Sequence, residues 1–323
     1  MAEYGKRALA LLVCLALSGC GAAVTLPSEA PLPAAAPWIT EPTALAAATP
    51  SPTQTATPEK AVSDLAGATA ALDALCAQQP GSFSVFLRDL TTGESYAYGA
   101  DTLYYGASTL KVPFALWLCA QADAGKIDLD SEVDNVFYGQ TALYAGTALA
   151  QYANTATVPA RAAMQAMLDD SDNNATTLLA AAWPATADTG FVEFVEELGF
   201  SAPDTCYVTE WDGLMGDISV TDLAAAMQAL YDYTEGDAAN AKFLRVCFGQ
   251  TEYEGLYLPT GYRAISKYGS WDAAFHDAAI VFGPHPYLLC CMTDQGDTDI
   301  DFPPAPVAAM QELGKTVWWY LDG

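Results

Sequence analysis

Basic residues are scarce in this chain. Lysine and arginine together number 12 against 39 aspartates and glutamates, only two histidines are present, and the net charge is −27 over 323 residues. A surface that acidic repels DNA, RNA and anionic lipid, which excludes nucleic acid as a partner. The cysteine spacings match no zinc pattern, so no metal is expected, and no internal repeat is visible. No cofactor motif is present either. What the chain does have is apolar mass. Hydrophobic residues make up 52% and charged residues 16%, enough for one large domain or two small ones.

The N-terminus reads as an export signal over residues 1–20. Lys6 and Arg7 form a positive start, and Ala8 to Leu17 form an apolar stretch too short to span a bilayer. Leu17-Ser18-Gly19-Cys20 follows and resembles a bacterial lipobox, in which Cys20 would be lipidated. An ordinary signal with a chance cysteine is the plainer alternative. Lipidation places the protein at the outer face of the bacterial cell membrane, touching it through the anchor only. Residues 21–60 are rich in Pro, Ala and Thr. They read as a disordered tether of up to about 120 Å at roughly 3.1 Å per residue. Six cysteines remain beyond it: Cys76, Cys119, Cys206, Cys247, Cys290 and Cys291. Export permits disulfides, and buried apolar thiols are at least as good a reading. Cys290 and Cys291 are neighbours on an expected strand and must point to opposite faces.

The folded part is expected over residues 61–323. Leu65, Leu72 and Leu75 predict a helix over 61–78. Two strand-like runs, Ser82–Arg88 and Ser95–Tyr98, flank a glycine-containing loop and predict a hairpin. Helical signals dominate from Ser108 to about Asp232. Strands are predicted over Ala264–Trp271, Ala278–Phe282 and Tyr287–Thr293, and a last helix over about Pro304–Tyr320. Strands and helices segregated in this way make an α+β fold.

Three short motifs carry chemistry. In Ser108-Thr-Leu-Lys111, an i, i+3 spacing puts both side chains on one helix face. A lysine buried there, with a second lysine near it, loses affinity for its proton and can serve as base to the serine. By composition about 0.3 such pairs arise by chance, so the pair alone is also just a helix start. Ser171-Asp172-Asn173 falls between two predicted helices, where it can bind a ligand or cap a helix. An incomplete Ca²⁺ loop is a further option, without the expected Gly and distal Glu. Lys267-Tyr268-Gly269-Ser270 lies on a strand. Its glycine would admit a close backbone approach, and its lysine could be an exposed edge residue. Two of the chain's seven lysines sit in these motifs.

In this order and at these gaps the motifs resemble the site of class A β-lactamases and penicillin-binding proteins. Gly106–Phe114, Gly146–Tyr152, Ile218–Ala224 and His276–Val281 resemble that family as well. The resemblance implies a five-stranded antiparallel sheet flanked by helices, packed beside an all-helical subdomain, with the site between them. It implies Ser108 as the acylated nucleophile and Lys111 as its base. Ser171 would relay a proton to the leaving nitrogen, Asn173 would hold the substrate amide, and Lys267 would orient Ser171 and attract a carboxylate. Gly269 belongs to the same substrate-binding strand. The amides of Ser108 and Ser270 would form an oxyanion hole.

Two departures stand out. The family's β-lactamases activate the deacylating water with a glutamate in a long Ω-shaped loop, followed three residues on by an asparagine. Phe200 to Gly216 is short, and Glu210 is followed by Trp-Asp-Gly213. Glu210 is therefore either that base or a solvated loop carboxylate. Tyr268 stands where the family has a Thr or Ser that contacts the substrate carboxylate, and Arg245 or Arg263 could compensate. His276 is read as paired with Asp277 or solvent. The expected activity is hydrolysis of β-lactam rings through an acyl-enzyme. One alternative is a D,D-peptidase-like enzyme on D-alanyl-D-alanine peptides with slow deacylation. Another is a non-catalytic wall-binding or sensor lipoprotein. A monomer is expected.

Overall fold

The computed structural model describes residues 64–249 and 255–322. Cys20, the export signal and the Pro-rich stretch lie outside the described residues. The elements follow in chain order. Helix α1 (Leu65–Cys76) leads into the hairpin β1 (Phe83–Asp89) and β2 (Ser95–Tyr98), then β3 (Tyr104–Tyr105). A 3-10 turn (Ala107–Leu110) opens α2 (Lys111–Asp123), followed by β4 (Glu132–Asp134), α3 (Thr141–Tyr144), β5 (Thr157–Pro159), α4 (Ala160–Asp169), α5 (Asn173–Ala182) and α6 (Phe191–Glu197). The short strands β6 (Tyr207–Thr209), β7 (Gly213–Met215) and β8 (Asp217–Ile218) come next, then α7 (Val220–Thr234) and α8 (Ala239–Phe248). Strands β9 (Arg263–Trp271), β10 (Ala274–Phe282) and β11 (Tyr287–Thr293) precede the last helix, α9 (Pro304–Leu321).

The main sheet runs β2-β1-β11-β10-β9, with every pair antiparallel. Both of its faces are covered. Val85, Leu87, Phe275, Leu289 and Cys291 pack toward α1 and α9. Ile265, Ile280, Leu288, Cys290 and Met292 pack into the core shared with the helical layer. That two-sided burial is why β11 reads as an unbroken apolar run, where a one-sided strand would alternate. The six cysteines are all buried and free, and Cys290 and Cys291 do face opposite cores.

Helix α2 runs through the middle of the helical core. Its residues Lys111 to Cys119 are all buried, which a helix apolar on every side requires. Pro113 sits in its first turn, where a missing N–H costs nothing. Helix α7 starts on a capping box. The Asp222 amide donates to Ser219 Oγ, and the Ser219 amide donates to Asp222 Oδ2 at 2.8 Å. Strand β10 begins at Ala274, four residues before the expected Ala278, because His276 and Asp277 are buried polar strand residues with partners inside the protein. Among the described residues no helix is long and apolar enough to cross a membrane, and no cluster of metal-ligating side chains occurs.

Candidate active site

The chain leaves β3 at Tyr105, and Ala107 takes a left-handed backbone with φ +47°. Such a conformation costs an alanine on the order of 1–2 kcal/mol. It turns Ser108 out onto the 3-10 turn, half-buried, at the wall of a cleft of about 200 Å³. In a 3-10 turn residues i and i+3 eclipse one another, so Lys111 shares the face of Ser108 as the spacing predicts.

Lys111 is fully buried and reaches the loop between α4 and α5. Its Nζ lies 2.6 Å from the Ser171 carbonyl oxygen, 3.1 Å from Ser171 Oγ and 2.8 Å from Asn173 Oδ1. Burial holds the amine well below the ordinary lysine range, the Lys267 charge lowers it further, and Asp172 opposes both. The Ser-Asp-Asn cluster divides its labour. Asp172 is the helix cap, its Oδ1 accepting the amides of Asn174 at 2.7 Å and Ala175 at 3.1 Å. Ser171, itself left-handed at φ +56°, and Asn173 are thereby turned toward the lysine.

Lys267 approaches from the other side on β9, the edge strand. It too is fully buried, and its Nζ lies 3.0 Å from Ser171 Oγ and 2.8 Å from the Tyr268 carbonyl oxygen. Burial pushes it down to about 7, against the pull of Asp277. The edge-lysine alternative is thus replaced by an inward one. Lys111 and Lys267 meet on a single hydroxyl.

Gly269 admits a close approach from within the molecule. A Cβ there would fall 2.8 Å from the Thr109 amide nitrogen and 3.0 Å from that of Ser108. Strand β9 can press on the nucleophile turn only because that atom is missing. Ser270 lines the cleft with Ser108 and Asn173.

Several expectations are corrected. Glu210 does not reach this cleft. It sits at the tip of the β6–β7 hairpin and lines a separate hollow with Glu132, Asp134 and Trp183. Asp212, two residues on, is the carboxylate that lines the serine cleft. Tyr268 packs its ring on Phe302 at 4.9 Å between centroids, with the Lys267 ammonium 4.2 Å from the ring centre. Arg245 holds the Thr234 and Gly236 carbonyls at the C-terminal end of α7. Arg263 lies over the Phe282 ring and pairs with Glu235 at 3.4 Å. Neither arginine lines the cleft. His276 meets neither Asp277 nor solvent. Its Nε2 lies 2.9 Å from the Tyr105 carbonyl oxygen, while Asp277 Oδ2 accepts the amides of Gly255 and Leu256.

Motif reasoning missed Tyr105, Thr176, Asp212 and Trp271, which complete the cleft wall. Their side chains follow no local pattern, and only the fold gathers them. Tyr105, Asp212 and Trp271 also border a neighbouring hollow of about 510 Å³.

A model of the beta-lactamase enzyme family matches residues 67–321. The chain belongs to this family. Family and fold together make it a hydrolase of the serine β-lactamase type. Its fold is that of a β-lactamase from Burkholderia vietnamiensis (23% identity, TM-score 0.64, covering 79% of this chain and 97% of that one). A β-lactamase from Sphaerobacter thermophilus is similar (19% identity, TM-score 0.63, 80% and 97% covered). So is a mutant of PBP-A solved as an acyl-enzyme complex with penicillin G (20% identity, TM-score 0.63, 79% and 96% covered). No curated protein sequence matches.

Proposed function

We propose that this chain is an exported, lipid-anchored serine hydrolase that opens β-lactam rings through an acyl-enzyme on Ser108. The observation that carries the proposal is the convergence of two buried lysines on Ser171 Oγ, at 3.1 and 3.0 Å, beside the serine cleft. A neutral Lys111 fits its surroundings. It can donate to the Ser171 carbonyl and to Asn173, which leaves its lone pair for the Ser108 proton, while Lys267 donates to Ser171 Oγ.

The steps follow from these groups. Lys111 takes the Ser108 proton as Oγ bonds to the lactam carbonyl carbon. The electron pair moves onto the carbonyl oxygen, held by the Ser108 and Ser270 amides. The C–N bond then breaks, Ser171 gives its proton to the ring nitrogen, and the lysine pair restores it. Water hydrolyses the ester to complete the cycle.

A second reading has its own support. Glu210 lines a different hollow from Ser108, so a glutamate for the deacylating water is not supplied from that loop. A long-lived adduct, as in a penicillin-binding D,D-peptidase acting on D-alanyl-D-alanine peptides of the wall, follows if Asp212 cannot replace it.

One experiment separates the readings: incubation of the soluble domain with a reporter penicillin, following covalent label and released product. Steady product release is expected for the β-lactamase. A persistent adduct that vanishes in Ser108→Ala marks the peptidase. No label and no product at millimolar ligand would overturn the β-lactamase reading and leave a peptidase confined to wall peptides or a wall-binding or sensor lipoprotein.

A further inference from the structure

His276 is a buried histidine that the steps above do not use. It stands on β10 in register with Gly269 on β9, the glycine whose backbone presses on the Ser108 and Thr109 amides. Its ring is wedged beneath the entry to the nucleophile turn. Thr293, on the neighbouring strand, donates its amide to Nδ1 at 3.3 Å. That acceptor role leaves the proton on Nε2, which donates to the Tyr105 carbonyl oxygen at 2.9 Å. The Tyr104 ring meets the imidazole edge-on at 5.5 Å.

The Tyr105 carbonyl is the last peptide oxygen before Gly106 and the strained Ala107. On the other side of the same segment, the Gly106 amide donates to Gly216 and the Tyr105 hydroxyl to Leu214. Two of these anchors come from the β7–β8 segment, and the third comes from the main sheet through His276. We infer that His276 is a positioning residue for the reaction, fixing the nucleophile turn to the main sheet by holding the Tyr105 carbonyl. The inference rests on the reading of Ser108 as the acylated group. Burial keeps the imidazole neutral, its proton affinity pushed down to about 4, so the hydrogen-bond roles hold at neutral pH.

Two variants split the two ring nitrogens. In His276→Gln the side-chain amide nitrogen falls near Nε2, so the donor to Tyr105 is kept and the acceptor for Thr293 is lost. In His276→Asn the carbonyl oxygen replaces Nδ1, but nothing reaches Tyr105. The acylation rate constant and the dissociation constant of the preceding complex are measured with a reporter penicillin, together with melting temperature. His276→Asn is expected to acylate about ten- to a hundredfold more slowly, with the dissociation constant unchanged. His276→Gln is expected to stay within about threefold of the parent chain.

Equal rates in the two variants, or rates that follow melting temperature regardless of the donor, would reduce His276 to a core residue and overturn the inference. Should the asparagine variant fail to fold, the glutamine variant decides alone, and a collapse of its acylation overturns the inference. If the parent chain takes no label, the acyl-enzyme reading itself has failed. Amide hydrogen exchange then tests the placement. Exchange at Ser108 and Thr109 should quicken in His276→Asn and not in His276→Gln, and identical exchange in both sinks it.

Discussion

Lys111 and Lys267 are distant in sequence and share one hydroxyl in space, and most of the site's chemistry follows from that meeting. Each is fully buried, and each has its proton affinity lowered by burial before any other cause. For Lys111 the second cause is the charge of Lys267. The sign of its effect on activity follows. Base catalysis by Lys111 needs the neutral amine, so acylation rises as pH climbs through the lowered value. Lys267→Met removes the repelling charge and lets Lys111 keep its proton to higher pH, so the rising limb of acylation against pH should shift upward. The two sites titrate together, so the shift is read from the whole profile. A limb that stays in place or moves down would break the link between the two lysines. Ala107 and Ser171 add backbone strain at the same place, with φ at +47° and +56°. Neither residue type announces that in the sequence.

At the scale of elements, the site is an edge strand pressed against a helix start. Strand β9 lies over the 3-10 turn, and Gly269 is the contact. Gly269→Ala puts a methyl 2.8 Å from the Thr109 amide nitrogen and 3.0 Å from that of Ser108, so backbone of the nucleophile turn has to shift. About 2 kcal/mol of stability should be lost, and acylation should fall about a hundredfold as Ser108 is displaced. Urea unfolding and label kinetics check the two effects. Unchanged kinetics would mean that the turn tolerates the push. Much of this level was legible beforehand. The helix at Leu65–Cys76, the hairpin, β9, β11 and the last helix stand within a few residues of expectation, because their apolar periods and glycine-bearing turns are local signals. Strand β10 extends ahead of its apolar run at Ala278, because His276 and Asp277 find buried partners that only the fold supplies. The segment carrying Glu210 folds as a tight β6–β7 hairpin, and its direction is set by packing on α5 and the nucleophile turn and by the bridge from Val208 to Ala185.

At the scale of the whole molecule, two apolar cores lie on either side of one sheet, and the cleft opens where the helical core meets edge strand β9. The anchor proposed for Cys20 belongs to this scale too. The full chain expressed in a bacterial host should fractionate with membranes, and Cys20→Ala should move into the soluble fraction. A variant that still sediments with membranes would contradict lipidation.

The order of residues alone determined which side chains could act. A serine and a lysine one turn apart, a polar cluster between two helices, and a lysine-glycine strand are local patterns, and local patterns survive in one dimension. What tertiary structure decided was their chemistry. Burial and a 3 Å approach to one hydroxyl make two ordinary lysines weak bases, and both quantities depend on segments that meet only when the chain has folded. The same long-range packing sent Glu210 to another hollow, brought Asp212 to the cleft and set His276 under the nucleophile turn.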